Sequence, residues 1–235
     1  MRRSIAAVVS LLALTALAAP PPAGPAAAAK KPTVAILYFD YDQGGELEAL
    51  KKGLAQMLIT DLVGHPGIAL VERARMQEIF EELKLNETKK VDPETAVKIG
   101  KLLGAQFVVI GGYFVVQGQM AISTRTIDVA TTLTVGGLRV RGPPDTFFDL
   151  EAELSQKIYQ EFTTRLPAAA APAKEGAAPA RRPAKSNLKV ALGYSRALGA
   201  LDKKDKATAR KELEAVVKEQ PDFVLASLDL ADLVK

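Results

Sequence analysis

The sequence contains no cysteine and no tryptophan, and it has a single histidine among its 235 residues. The lack of cysteine excludes disulfide bonds, thiolate zinc sites and cysteine nucleophiles. A protein without these cross-links depends on its hydrophobic core for stability. A chain of 235 residues is long enough for one domain with its own core plus additional elements.

Motifs for catalysis and for nucleotide binding are also scarce. His65, the single histidine, lies in a His-Pro-Gly sequence with no serine or acid placed to form a catalytic chain, and a lone histidine is a poor metal site. The pairs Gly44-Gly45 and Gly111-Gly112 belong to no complete phosphate-binding motif. We expect Gly111-Gly112, inside an apolar strand pattern, to mark a β-bulge. The sequence therefore predicts no catalytic residue, no cofactor and no bound metal.

Neither sign of charge dominates the sequence. Lysine and arginine number 31, against 27 aspartate and glutamate residues. The basic clusters at Arg181-Arg182 and Lys203-Lys204 have no interleaved aromatic side chains that could stack on bases. We therefore expect no nucleic-acid partner, and we interpret these clusters as a solvated linker and a solvated turn.

A long uncharged run occurs at the N-terminus, from Ile5 to Ala18. It follows Arg2-Arg3 and ends in the small-residue pattern Ala16-Leu17-Ala18, which together predict a signal peptide over residues 1–18. The run is too short to cross a bilayer core of about 30 Å as a helix. No cysteine follows it as a site for a lipid anchor. We therefore expect an exported, periplasmic protein whose mature form has no membrane span.

Two Pro/Ala-rich segments, residues 19–32 and 167–186, are predicted to be linkers. Between them, residues 33–166 show alternating strand and helix periodicity in the order β-α-β-α-α-β-β-β-α, which predicts an α/β fold with a mixed sheet. Residues 187–235 have a purely helical pattern with three segments. Because the second linker has few large apolar groups, we expect residues 30–166 to fold without these helices.

The α/β region is similar to the CsgG family, the curli assembly and transport family of bacterial envelope proteins. The similarity is carried by an ordered set of segments: VAILYFD (34–40), GLAQMLITDLVG (53–64), LVERARMQEIFEELKL (70–85), DPETAVKIGKLLGAQFVVIGGY (92–113) and ISTRTIDVATTLTVGG (122–137). The resemblance implies a periplasmic domain with the architecture of the TolB N-terminal domain, which contacts or assembles with other envelope proteins. It supplies no catalytic residue.

The sequence departs from the family's secretion channel in two ways. It has no cysteine for lipidation, and its hairpin at Gln117-Gly118-Gln119 is too tight for the long pore-forming hairpins of that channel. We therefore expect no membrane pore.

Residues 187–235 resemble a tetratricopeptide repeat. Ala197, Ala209 and Pro221 occupy the small-residue and proline positions of such a unit, and Leu213 fits its large apolar position. One unit and part of a second are fewer than the three or so that are stable alone. The alternative is an unrelated helical hairpin.

The last helix provides the candidate protein-interaction residues, because no following repeat covers its apolar stripe. An envelope partner, a second copy of the chain or the chain's own α/β domain could cover these side chains. They are Leu225, Leu228, Leu230 and Leu233.

Four polar residues are weaker candidates for a site. Asp40 and Asp42 follow the first predicted strand, where α/β folds often position functional groups, and could bind a cation or act in acid–base chemistry. The alternative is that they end the strand and solvate the loop. Glu72 and Arg73 follow the second strand, and we interpret them as an ion pair at a helix start.

The sequence therefore favours a non-enzymatic periplasmic adaptor of the CsgG type that binds envelope proteins. One alternative is a soluble homo-oligomeric structural subunit of an envelope secretion complex. Another is a hydrolase that uses Asp40 and Asp42.

Overall fold

The structure is a computed structural model that describes residues 31–85, 91–165 and 187–234. The predicted signal peptide and the second predicted linker lie outside the described residues.

A five-stranded mixed sheet forms the centre of the fold, with the strand order β2-β1-β3-β4-β5. β1 pairs in parallel with β2 and β3, and the pairs β3–β4 and β4–β5 are antiparallel. The strands are β1 (Thr33–Ile36), β2 (Ala69–Leu70), β3 (Phe107–Val116), β4 (Gln119–Asp128) and β5 (Thr134–Gly142).

Seven α-helices are present in the described residues, and short 3₁₀ turns precede two of them at Glu46–Ala49 and Pro144–Thr146. The α/β region contains α1 (Leu50–Leu62), α2 (Arg73–Glu82), α3 (Pro93–Leu102) and α4 (Phe147–Arg165). The C-terminal helices are α5 (Leu188–Asp202), α6 (Lys206–Glu219) and α7 (Val224–Val234). The predicted fold class and element order are confirmed.

Helices cover both faces of the sheet. Phe107 of β3 packs its ring against Phe162 of α4, with ring centroids 5.7 Å apart. The next residue, Val108, points to the opposite face, where Gly100 of α3 approaches it closely. The stripe predicted for α4 is buried, as expected: Leu150, Leu154, Ile158 and Phe162.

Local sequence explains where several helices begin. Asp92 caps α3, because its carboxylate accepts a hydrogen bond of 2.9 Å from the Thr95 amide, and Pro93 occupies the first helical position. Asn187 and Asp205 cap α5 and α6 in the same way.

The bulge predicted at Gly111-Gly112 is wrong. These glycines pair in regular register with Thr124 and Ser123, and the irregularity in this part of the sheet lies instead between Thr126 and Ile127. Gly111 is required for a different reason: a Cβ there would collide with the Phe39 ring and the Ser123 carbonyl oxygen. The glycine allows a close approach of chains, not an inserted residue.

The C-terminal helices pack on the α/β region and share its core. α1 lies between the sheet and α5, and ten of its thirteen residues are buried. A helix buried on two sides needs a covering layer on each. The apolar side chains of α5 and α6 therefore belong to the same hydrophobic cluster as those of β1 and α1.

Candidate interaction surfaces

An ion-pair cluster joins α5 to the α/β region. Asp202, at the end of α5, accepts hydrogen bonds from Lys52 Nζ of α1 at 2.6 Å and from Arg73 Nη1 of α2 at 2.7 Å. The Asp202 side chain is 6% exposed and both cationic side chains are 11% exposed. The Tyr38 hydroxyl accepts a further bond from Arg73 and donates to Gln77. The cluster is thus buried, hydrogen-bonded and shared between two parts of the chain.

Aromatic side chains form a second connection. Phe223, just before α7, packs edge-on against Phe148 of α4 and Tyr194 of α5, with centroid separations of 5.4 and 5.0 Å. The Tyr194 hydroxyl donates to the Asp229 carboxylate of α7 at 2.9 Å. Burial raises the pKa of Tyr194 and of Asp229, and both groups lie at the junction of α5 and α7.

α1 and α5 also approach closely. A Cβ at Gly53 would collide with Oγ of Ser195 on α5. That hydroxyl donates to the Ala191 carbonyl oxygen of its own helix at 2.7 Å. The small residue on each helix therefore sets their separation.

The chain's own residues cover three of the four candidate leucines on α7. Leu225, Leu230 and Leu233 are partly buried and pack against the shared core. Leu228 is 57% exposed and remains a candidate contact for a partner.

Asp40 and Asp42 line one cavity of about 360 Å³ at the end of β1. Asp40 continues the parallel pairing of β1 with β3, because its amide donates to the Gly111 carbonyl and its own carbonyl accepts from the Tyr113 amide. Its carboxylate accepts from the Val91 amide at 3.3 Å. Asp42 is exposed. Across the cavity lies Arg125, so the cavity carries charges of both signs.

The sheet face around this cavity carries three exposed arginines, which sequence reasoning missed. We call it the arginine face and define it by Phe114, Ser123, Arg125, Arg139 and Arg141. Arg125 extends from β4, whereas Arg139 and Arg141 extend from β5. Arg139 lies over the Phe114 ring, with its guanidinium carbon 5.5 Å from the ring centroid.

His65 fastens the turn after α1 to α4. Its side chain is buried, with Nε2 lying 3.1 Å from the Tyr159 carbonyl oxygen and 3.2 Å from the Thr163 hydroxyl. Nδ1 accepts from the Gly67 amide at 3.0 Å, so Nε2 carries the proton in the neutral ring. Burial lowers the pKa of His65, while the hydrogen bond to Tyr159 acts in the opposite direction.

Glu72 and Arg73 separate in the structure. Glu72 is exposed and stands at the N-cap of α2, where its side chain makes no capping hydrogen bond. Arg73 forms its ion pair with Asp202, which is 129 residues away in sequence. The predicted ion pair at the helix start therefore involves a residue of the C-terminal helices.

Within residues 31–85, 91–165 and 187–234, no three histidine, aspartate or glutamate side chains gather as a metal site would require. None of the described helices has both the length and the apolar character to cross a membrane.

Comparisons with known proteins bear on the α/β region. Residues 25–128 match the family model of the curli production assembly/transport component CsgG. No curated protein matches the sequence. The LpoB C-terminal domain from Salmonella enterica has 13% identity and a TM-score of 0.39, covering 48% of this chain and 82% of that one. TolB from Acinetobacter baumannii has 18% identity and a TM-score of 0.39, covering 59% and 30%. The PelC dodecamer from Paraburkholderia phytofirmans has 14% identity and a TM-score of 0.32, covering 61% and 93%.

The family match extends from the segment before β1 to the end of β4. It confirms the resemblance on which the sequence analysis relied, whereas the tetratricopeptide resemblance of the C-terminal helices stays a prediction. The α/β region of this chain is therefore similar to the CsgG family over residues 25–128.

Proposed function

We propose that this protein is a non-enzymatic adaptor of the periplasm, which binds envelope proteins and has no membrane pore of its own. The observation that carries the proposal is the CsgG-family match over residues 25–128, because that family is one of assembly and transport components. The C-terminal helices add a second surface, and their buried connection to α1 and α2 holds the two surfaces in fixed relation.

Asp40, Arg73 and His65 are engaged in structural contacts, which supports binding over catalysis. The Asp40 carboxylate accepts from a backbone amide, and His65 is bonded through both ring nitrogens to the loop and to α4. A general base needs a free, positioned lone pair facing a substrate cavity. His65 therefore serves the fold.

Site-specific photo-crosslinking in intact cells tests the adaptor function. A photoreactive residue at position 228, on the exposed side of α7, should give an adduct with an envelope protein that mass spectrometry identifies. The same residue at Leu102, which is 47% exposed at the end of α3, is the matched control. In a separate co-purification without the photoreactive residue, Leu228→Asp should abolish recovery of the same partner. The new charge at an apolar contact would be desolvated without a counter-charge. Adducts equal in identity and yield at both positions would contradict a specific contact at α7.

The hydrolase alternative is tested by removing the carboxylates without changing their shape. The double variant Asp40→Asn, Asp42→Asn should still complement the envelope defect of a strain that lacks the protein, because neither carboxylate acts chemically. His65 stays unchanged, since its loss would disturb the fold. A folded double variant that fails to restore the envelope would replace the adaptor with an enzyme.

Sedimentation separates the adaptor from a homo-oligomeric structural subunit. The mature chain alone should sediment at the mass of one copy, because the shared core already covers three of the four leucines on α7. A closed assembly of many copies would favour the structural subunit.

A further inference from the structure

We propose that the arginine face docks a partner protein that presents carboxylates to Arg125, Arg139 and Arg141. The inference rests on the proposed function, since it names the chemistry of one partner of the adaptor.

The strand register brings the three guanidinium groups together. Residues directly opposite each other in an antiparallel pair point to the same face of the sheet, and those diagonal to each other are about 7 Å apart. Each arginine is paired with a small residue on the neighbouring strand, so the long arginine side chains extend over a part of the sheet with little side-chain bulk. The pairs are Ala121–Arg141, Ser123–Arg139 and Arg125–Gly137.

The charge of this face is not balanced within the described part of the chain. Arg125, Arg139 and Arg141 are exposed, and none of them forms an ion pair with a described carboxylate. The other arginines whose side chains are described each have one: Arg73, Arg75, Arg196 and Arg210. Like charges close together on a sheet repel each other. Arginine is also suited to bidentate binding of carboxylates. An anionic surface bound to the arginine face would therefore neutralise its unbalanced positive charge.

The surroundings favour a protein over a polyanion or a lipid surface. Asp40 and Asp42 line the cavity beside Arg125, and their carboxylates repel an unbroken array of phosphates. The Phe114 ring beneath Arg139 and the 50% exposed Val116 add apolar area. Arginine combined with aromatic groups is typical of the centres of protein interfaces.

The chain itself does not provide this partner from the segments outside the described residues. Residues 1–30, 86–90 and 166–186 each contain more basic than acidic side chains. Like charge therefore disfavours their docking on three arginines. The complementary surface belongs to a separate protein.

The test uses the full mature chain and, as the acidic probe, a short peptide in which glutamate alternates with serine, so that its carboxylates are spaced as on a protein surface. Binding is measured by fluorescence anisotropy at low salt. The face variant is Arg125→Gln, Arg139→Gln and Arg141→Gln together. The control variant carries Arg75→Gln, Arg196→Gln and Arg210→Gln, which remove the same charge from exposed sites elsewhere. We expect the Kd to rise at least about tenfold in the face variant and less than about twofold in the control. Asp42→Asn should tighten binding, because it removes a repelling carboxylate.

Other results would overturn the proposal. Equal weakening in both variants would show a response to net charge alone. If the face variant loses binding to phosphatidylglycerol vesicles but keeps its binding to the peptide, the occupant of the face is a lipid surface. Self-association of the wild type that only the face variant abolishes would identify a second copy as the occupant. If the Kd for the peptide does not rise in the face variant while crosslinking at position 228 persists, the docking of an acidic partner on the arginine face is rejected. The adaptor function is then unaffected.

Discussion

Replacing Asp202 by asparagine tests how strongly the C-terminal helices are held on the α/β region. Asparagine has nearly the same size and still accepts a hydrogen bond, so the substitution removes mainly the negative charge. That charge is shared by Lys52 and Arg73, which are almost as buried as Asp202 itself. After the change, two buried cations lose their common carboxylate.

The expected magnitude follows from burial. Removing one partner of a buried ion pair costs about 3–5 kcal/mol, because the remaining charge stays desolvated. For a domain of this size, each kcal/mol lowers the Tm by about 2–4 °C, so we expect a fall on the order of 10 °C. Asp205→Asn in the same turn is the control. Asp205 caps α6 through the Thr208 amide, and asparagine is an equally good N-cap, so the change should stay within about 0.5 kcal/mol.

Urea unfolding followed by far-UV circular dichroism and by tyrosine fluorescence provides the assay. A double-mutant cycle with Arg73→Met isolates the pair, and we expect a coupling energy of about 1–3 kcal/mol. The reasoning is refuted if Asp202→Asn changes stability no more than Asp205→Asn, or if the coupling energy is zero.

The remaining predictions concern the same packed structure. His65 has a lowered pKa in the folded state, so the unfolded chain binds the proton first as the pH falls. We therefore expect the Tm to decrease as the pH falls below about 6.5, and the decrease to be smaller in His65→Gln. Gly53→Ala should destabilise the protein by about 1–3 kcal/mol through its clash with Ser195, whereas Gly199→Ala on α5, which meets no atom within 4 Å, should stabilise it, and thermal unfolding will show the two signs. Deleting residues 187–235 should abolish cooperative unfolding in a urea titration, because the outer side of α1 becomes exposed; a sharp transition in the truncated chain would restore the sequence-based expectation of two independent regions.

Periodicity and helix caps were enough to predict the elements of the fold. The alternation of β4 and the stripe of α4 depend on local spacing, which the sequence displays directly. Glycine was more ambiguous. Gly111 satisfies the same sequence criteria as a bulge residue, but its role is to leave room for the Phe39 ring. Phe39 lies in the segment after β1, far from Gly111 in sequence.

The connection between the two regions could not be predicted for a related reason. Asp202 belongs to a turn with the sequence Asp-Lys-Lys-Asp, which is typical of a solvated loop. Its burial depends on Lys52 and Arg73, and no local pattern records which helix will cover which. The arginine face could not be predicted from the sequence for the same reason. The alternation of β4 and β5 shows which residues share a side, but the sheet order decides that Arg125 and Arg139 become neighbours.

The position of α1 between the sheet and α5 has a consequence for the order of folding. Lys52 and Asp202 are 150 residues apart, so the outer side of α1 stays uncovered until the last part of the chain has been synthesised. Contacts of such long sequence separation form late, and apolar surface exposed meanwhile promotes aggregation. A nascent chain of this protein therefore presents an uncovered helix through most of its emergence, and we expect a holding chaperone to bind it at α1 until α5 arrives.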